Sequence, residues 1–195
     1  MQTKPMTRGY AITRTVEFIK SGYFKPDAVN RILESLPGDM RDALPNLKTS
    51  EWYPREYMVP LMRGIASVKN DNVGSAEDLA NYGQAVASEA TNTFLKILMK
   101  LLTPTLFAKK FPEFYARDHK GSGHFEVDIE KVKDGKITIK LVGAEGFDHI
   151  GAASVGFFRF GIESISGPGS VDIKTRGWSL ATPSPHEVFY DVTLK

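Results

Sequence analysis

Cysteine is absent from all 195 residues. That removes disulfides, thiolate metal sites and cysteine nucleophiles together, and it fits a reducing compartment. Long apolar runs are also missing: nothing approaches the roughly 18 uncharged residues that a membrane-spanning helix needs. The opening residues, Met1 to Arg8, are polar and lead into no apolar h-region. The expectation is a cytoplasmic protein without a membrane span. A strong charge bias is lacking as well, with a net charge of +2 and a pI near 8.7. This is too little to call for nucleic acid as a partner. Lys96, Lys100, Lys109, Lys110, Arg117 and Lys120 form the densest basic run, interrupted by apolar residues at helical spacing as on a solvated helix face.

What is present is an ordinary globular composition, 42% apolar and 25% charged. A chain of this length fits one domain and buries about 70% of the surface its unfolded form exposes. Residues 1–117 read as helical and 118–195 as strands around one helix, with no Ser/Gly-rich linker between them. Helices followed by strands predict a single α+β domain, because helices segregate to one face of an antiparallel sheet in that class.

Thr15 to Lys20 reads as a short amphipathic helix stopped by Gly22, and Asp27 to Leu36 as a second with Pro26 at its first position. Trp52-Tyr53-Pro54 reads as the start of a third helix through Val68, kinked at Pro60. Ser75-Ala76-Glu77-Asp78 has the form of a capping box, which predicts a long central helix over 79–102 that ends at Pro104. From His124 the period changes to two. Phe125, Val127 and Ile129 alternate with acids, Ile137, Ile139 and Leu141 alternate with Thr138 and Lys140, and Asp134-Gly135 between them signals a hairpin. Phe147 to Ile165 returns to helical spacing, and strands at Val171–Thr175 and Val188–Leu194 complete a ββαββ unit. Gly151, Gly156 and Gly161 in that helix each cost about 1 kcal/mol of helix propensity against alanine. Close packing on the sheet or room for a ligand would each account for them.

Short catalytic motifs are missing. There is no Gly-x-Ser-x-Gly elbow, Walker loop or Gly-x-Gly-x-x-Gly fingerprint, and Gly121-Ser122-Gly123 is turn chemistry. His119 and His124 lie five residues apart at the mouth of a strand, on no common helical face, so no metal site is expected. Asp148-His149 near Ser154 could be drawn as a relay, but neighbouring helix side chains diverge, and no catalytic residue is assigned. Aromatic side chains are the conspicuous feature, among them Trp52, Tyr53, Tyr57, Tyr82, Phe94, Phe107, Phe111, Phe157 and Phe158. Aromatics at helical spacing are core residues first.

Four features carry a family resemblance: Trp52-Tyr53-Pro54-Arg55-Glu56-Tyr57, Tyr82-Gly83-Gln84 opening the long helix, Leu102-Thr103-Pro104, and the closing ββαββ with Gly151 and Gly161 in its helix. In these the chain resembles the bacterial haem-NO-binding-associated and 4-vinyl-reductase-like superfamily, in its standalone deltaproteobacterial form. The resemblance implies a two-layer fold of helices on a four-stranded antiparallel sheet, shared with TRAPP vesicle-tethering subunits, often with a small hydrophobic ligand between the layers. Haem-binding relatives carry a histidine on the helix corresponding to 79–102 and a Tyr-x-Ser-x-Arg motif, while metal-binding relatives carry cysteines near the C-terminus. This chain has none of these, so no cofactor, neither haem nor zinc, is expected.

The reading is a non-catalytic small-molecule binding or sensory module, not an enzyme. Its pocket would lie between the 79–102 and 147–165 helices and the sheet, with Phe94, Leu98, Phe157, Phe158 and Trp178 as apolar wall and Tyr82, His149 and Arg159 as orienting groups. The alternative is an interaction or scaffold module that forms a homodimer, or docks on a signalling partner, through helices. The stretch 93–102, apolar nearly all round, is the candidate surface for it.

Overall fold

A computed structural model of the chain describes residues 4–68, 72–90 and 102–195. The expected helix at Thr15 begins earlier, as α1 (Gly9–Lys20). The Gly9 and Tyr10 amides donate to the Glu51 and Thr49 carbonyls at 2.8 and 3.0 Å, which anchors its first turn. Helices α2 (Pro26–Glu34) and α3 (Gly38–Ala43) follow, with Ala28, Ile32 and Met40 buried. Pro37 precedes α3 and Gly38 is its first residue.

Trp52-Tyr53-Pro54 is not the start of a helix. It is strand β2 (Trp52–Pro54), paired antiparallel with β1 (Met6–Arg8) in the register Thr7↔Tyr53. Cross-strand pairing with a segment 45 residues earlier is a signal that local periodicity does not contain. Helix α4 (Val59–Ser67) begins after a 3₁₀ turn, and Pro60 sits in its first turn. There its missing N–H is no loss, so the expected kink has no cause.

The capping box is also displaced. Helix α5 (Asn72–Ala90) already includes Ser75, whose buried hydroxyl donates to the Ala66 carbonyl at 2.6 Å and ties α5 to α4. The expected continuation to 102 lies outside the described residues over 91–101. Pro104 opens a helix instead of closing one: in α6 (Pro104–Asp118) the Thr103 hydroxyl accepts the Leu106 N–H at 3.2 Å.

The C-terminal ββαββ unit is present as expected. Strands β4 (His124–Asp128), β5 (Lys136–Val142), β6 (Val171–Arg176) and β7 (Glu187–Leu194) form an antiparallel sheet in the order β4-β5-β7-β6, with α7 (Ile150–Ser166) between β5 and β6 in sequence. The β4–β5 connection is longer than a two-residue turn, and only Gly135 in it takes a left-handed φ, of 70°. Strand β3 (His119–Lys120) leaves α6 to pair with β1, completing a second, three-stranded sheet that the sequence did not signal.

Inward residues of β5 and β7, Ile139, Leu141, Val188 and Tyr190, are buried beneath α7, and the Tyr190 hydroxyl donates to the Gly151 carbonyl at 2.9 Å. Phe111, Phe125, Phe158 and Tyr190 join α6, α7 and the sheet through edge-on and tilted ring pairs with centroids 4.2 to 6.1 Å apart. The outer face is polar. Lys140 pairs with Glu187 at 2.6 Å, Arg176 with Asp191 at 2.7 Å, and both cations lie over the Phe189 ring.

Helix α5 runs along α7 at backbone distance. A Cβ on Gly83 would overlap the Ala153 carbonyl, and one on Gly156 the Ala80 carbonyl. Gly161 meets the Phe107 ring of α6, and Gly151 alone faces the sheet, against Val188. The helix-breaking glycines are thus explained by close approach, chiefly of helix to helix.

Candidate functional site

Among the described residues, an apolar space lies where α1, α5, α6 and α7 converge. It is a cavity of about 70 Å³. Val86 and Gly83 of α5, Phe111 and Phe114 of α6, and Ala153 and Phe157 of α7 give it an apolar wall. Tyr10, Tyr82, Tyr115, Ser154 and His119 supply polar atoms, and Asp118 adds a carboxylate. The amphipathic helices direct these residues inward, and the glycine contact between α5 and α7 brings Tyr82 and Ser154 to the same space.

Most of the polar groups are already committed. The Tyr82 hydroxyl exchanges a 2.8 Å hydrogen bond with the Thr15 hydroxyl, Ser154 donates to the Ile150 carbonyl at 2.9 Å, and Tyr115 donates to the Ser122 carbonyl at 2.6 Å. Burial raises the Tyr82 and Tyr115 pKa values far above the ordinary tyrosine range, so both stay neutral donors. His119 is different. Its ring lies between Tyr115 and Phe147, with centroids 4.7 and 5.1 Å away, and burial pulls its pKa down to about 4. Its Nδ1 faces the Thr7 hydroxyl at 3.4 Å. At neutral pH it is a neutral imidazole at the cavity wall, the form that serves as a hydrogen-bond partner or an iron ligand.

The depressed pKa sets a pH dependence. Between the ordinary value of 6.5 and about 4 the unfolded chain binds a proton that the folded chain refuses. Stability contributed by neutral His119 is therefore complete above pH 6.5 and lost as pH falls toward 4. His119→Gln is expected to flatten the fall in urea midpoint over that window. An unchanged slope would place His119 in contact with water.

Of the residues singled out from sequence, the fold brings Tyr82 and Phe157 to this cavity. Phe158 is fully buried beside them, against Phe111, Phe125 and Tyr190. Phe94 and Leu98 lie outside the described residues. Arg159 is half-buried on α7. His149 and Trp178 meet elsewhere, at the start of α7, with ring centroids 6.0 Å apart. His149 caps α7 with a left-handed φ of 64°, and its amide donates to the Pro183 carbonyl at 2.8 Å. Its Nδ1 and the Trp178 Nε1 are buried without a protein partner. Beside it, Asp148 is ion-paired with Arg63 at 2.5 Å. Sequence reasoning missed Tyr10, Tyr115, Ser154 and His119 as cavity groups. His119 was weighed only as a partner for His124, which lies exposed beside Glu126, and Ser154 only as part of a relay with Asp148 and His149. Among the described residues no three His, Cys, Asp or Glu side chains cluster as metal ligands.

The architecture matches solved structures over its whole length. A K. algicida H-NOX protein with unliganded Fe(II) superposes with a TM-score of 0.68 at 11% identity, covering 96% of each chain. The fold is that of H-NOX proteins. An S. oneidensis H-NOX protein in the Fe(II)NO state gives a TM-score of 0.67 at 12% identity, covering 96% of this chain and 99% of the other. A third, described by porphyrin distortion that modulates haem redox potential, gives 0.60 at 12% identity with the same coverage. No family model and no curated protein matches the sequence.

The likeness corrects one expectation. The absence of a cofactor was argued from a missing histidine on 79–102 and missing cysteines, whereas solved proteins of this H-NOX-like fold hold haem iron. The physical reason is that a ligand is defined by its place in the fold and not by its helix. Here strand β3 carries an imidazole to the cavity from outside the segment that was inspected. Among the described residues, no helix is long and apolar enough to cross a membrane.

Proposed function

We propose that the chain is a non-catalytic sensory module that takes a small, largely apolar molecule between α1, α5, α6 and α7. The observation that carries this reading is the cavity itself, with apolar walls, neutral tyrosines and one neutral imidazole, set in an H-NOX-like fold. Phe157 is part of its wall and Tyr82 an orienting group. Phe158 would back the wall through Phe111, whereas His149 and Trp178 lie apart at the start of α7 and Arg159 is outside the lining.

Haem is the cofactor that this fold brings into question. The donor chemistry fits, since His119 would supply a neutral nitrogen and Tyr10, Tyr82 and Tyr115 would line the ring's surroundings. Bound there, haem would supply an iron site for a small gas such as NO, as in the S. oneidensis protein. At about 70 Å³ the cavity is far below the roughly 300–1,000 Å³ of cofactor-sized pockets, so its walls would have to move apart to admit haem. An apolar cavity of about 150 Å³ takes benzene. The closed form therefore suits a molecule of only a few heavy atoms.

The test is a native purification with organic extraction and mass spectrometry against a mock preparation, followed by titration of haemin into the protein. A stoichiometric extract, or a Soret band that saturates at one equivalent, is the expected result. His119→Gly should lose that band and regain it with free imidazole. A protein that carries no extractable compound, and that neither haemin nor small apolar probes shift in thermal denaturation, would overturn the sensory reading.

A further inference from the structure

The cavity does not end in bulk water. Tyr10, Ala90 and Asp118 belong both to it and to a wider polar recess of about 430 Å³ outside it. That recess is lined by Arg8, Arg14 and Arg117, by two carboxylates, Glu89 and Asp118, and by Thr49 and Ser50.

Each carboxylate is already engaged. Arg14 binds Glu89 at 3.0 Å and Glu17 at 2.6 Å, and Arg117 lies 3.2 Å from Asp118. Among the described residues Arg8 has no carboxylate partner. Its guanidinium stacks over Trp52 at 5.7 Å, and the same indole carries the Lys120 ammonium at 4.0 Å. The strand register produces this cluster: Arg8 of β1 opposes Trp52 of β2, and Lys120 of β3 opposes Met6, so alternate residues of the small sheet face outward together while Thr7 and His119 face inward. A guanidinium held over an indole face still has N–H donors to offer a carboxylate. Tyr10 joins the two spaces, with its ring under the Arg14 guanidinium at 5.3 Å.

We propose that the ligand of this module is an amphipathic carboxylic acid, its apolar part in the cavity between α1, α5, α6 and α7 and its carboxylate on Arg8 in the recess. The inference rests on the sensory reading above and adds the charge of the ligand. A neutral ligand would leave Arg8 uncompensated. An acid gains a charge-assisted pair there, and the apolar wall of the cavity, with the Asp118 carboxylate at its edge, disfavours a second anionic group on its tail.

The probes are straight-chain C3 to C5 carboxylates, whose tails match a cavity of about 70 Å³, and the corresponding primary alcohols, titrated at low salt and followed by NMR chemical shifts. The acids are expected to bind at least about tenfold more tightly than their alcohols. Arg8→Gln should reduce that ratio to near one while leaving alcohol binding unchanged, and Arg8→Glu should reverse the preference toward the matching primary amines. Far-UV circular dichroism and melting of both variants check that the small sheet persists. A second variant, Lys120→Gln, leaves the sheet pairing intact and should lower acid binding only a few-fold.

The outcomes separate the two claims. Equal binding of acids and alcohols, or an Arg8→Gln variant that keeps the acid preference, overturns the carboxylate assignment and leaves the cavity reading standing. Failure of both probe classes to bind, with no effect of filling the cavity by Val86→Trp, overturns both.

Discussion

Gly156→Ala lowers stability by about 3 kcal/mol, which in a domain of this size is a fall of roughly 6–12 °C in Tm. The added methyl would overlap the Ala80 carbonyl oxygen and crowd the Gln84 amide, both backbone atoms of α5 that cannot rotate away. Relief requires α5 and α7 to move apart along their contact, with loss of packing at Gly83 and at the cavity wall between them. Gly38→Ala is the control. Nothing lies within 4 Å of a Cβ there and the residue opens α3, so the substitution should raise stability by about 0.4–1 kcal/mol through the unfolded chain. Thermal and urea denaturation measure both. A Gly156→Ala protein that melts with the wild type would mean that α5 and α7 do not touch at backbone distance.

Phe158→Ala and Phe157→Ala are adjacent in sequence and should behave differently. Phe158 is fully buried among Phe111, Phe125 and Tyr190, so its truncation is expected to cost about 3–5 kcal/mol. Phe157 is half-buried, touches Phe111 with a centroid distance of 5.0 Å and lines the cavity. Its truncation should cost less stability and lower ligand affinity by more than the stability change accounts for. Urea denaturation and a binding titration on the same samples read the two effects. Equal stability losses at both positions would return Phe157 to the plain core.

Membership of the α+β class and the ββαββ unit were legible because both are written in local periodicity. Phe125, Ile137, Ile139, Leu141, Tyr190 and Val192 alternate with polar residues, Phe189 between Val188 and Tyr190 being the exception, and that alternation reports one buried face. Punctuation was less reliable. Pro104 and Pro60 were read as a stop and a kink, but each occupies the first turn of a helix, where the same chemistry starts an element. Ser75-Asp78 has the composition of a cap, yet Ser75 uses its hydroxyl on the Ala66 carbonyl, a partner that only the approach of α4 to α5 supplies.

The candidate site divides in the same way. Tyr82 and Phe157 could be suspected from an aromatic, glycine-rich pattern, and they line one cavity. His119 could not, because its role depends on a two-residue strand that pairs with Thr7 more than a hundred positions away. The reason for Gly156 could not either. A missing side chain states that something comes close, and only the packed helices state that it is the backbone of α5. By itself the sequence determined which faces of each segment would be buried, since transfer of apolar surface depends on the residues alone. The tertiary structure decided which buried faces meet, and with them the cavity, the isolated guanidinium of Arg8 and the uncharged state of His119. Those properties arise from the distance and dielectric between groups remote in the chain.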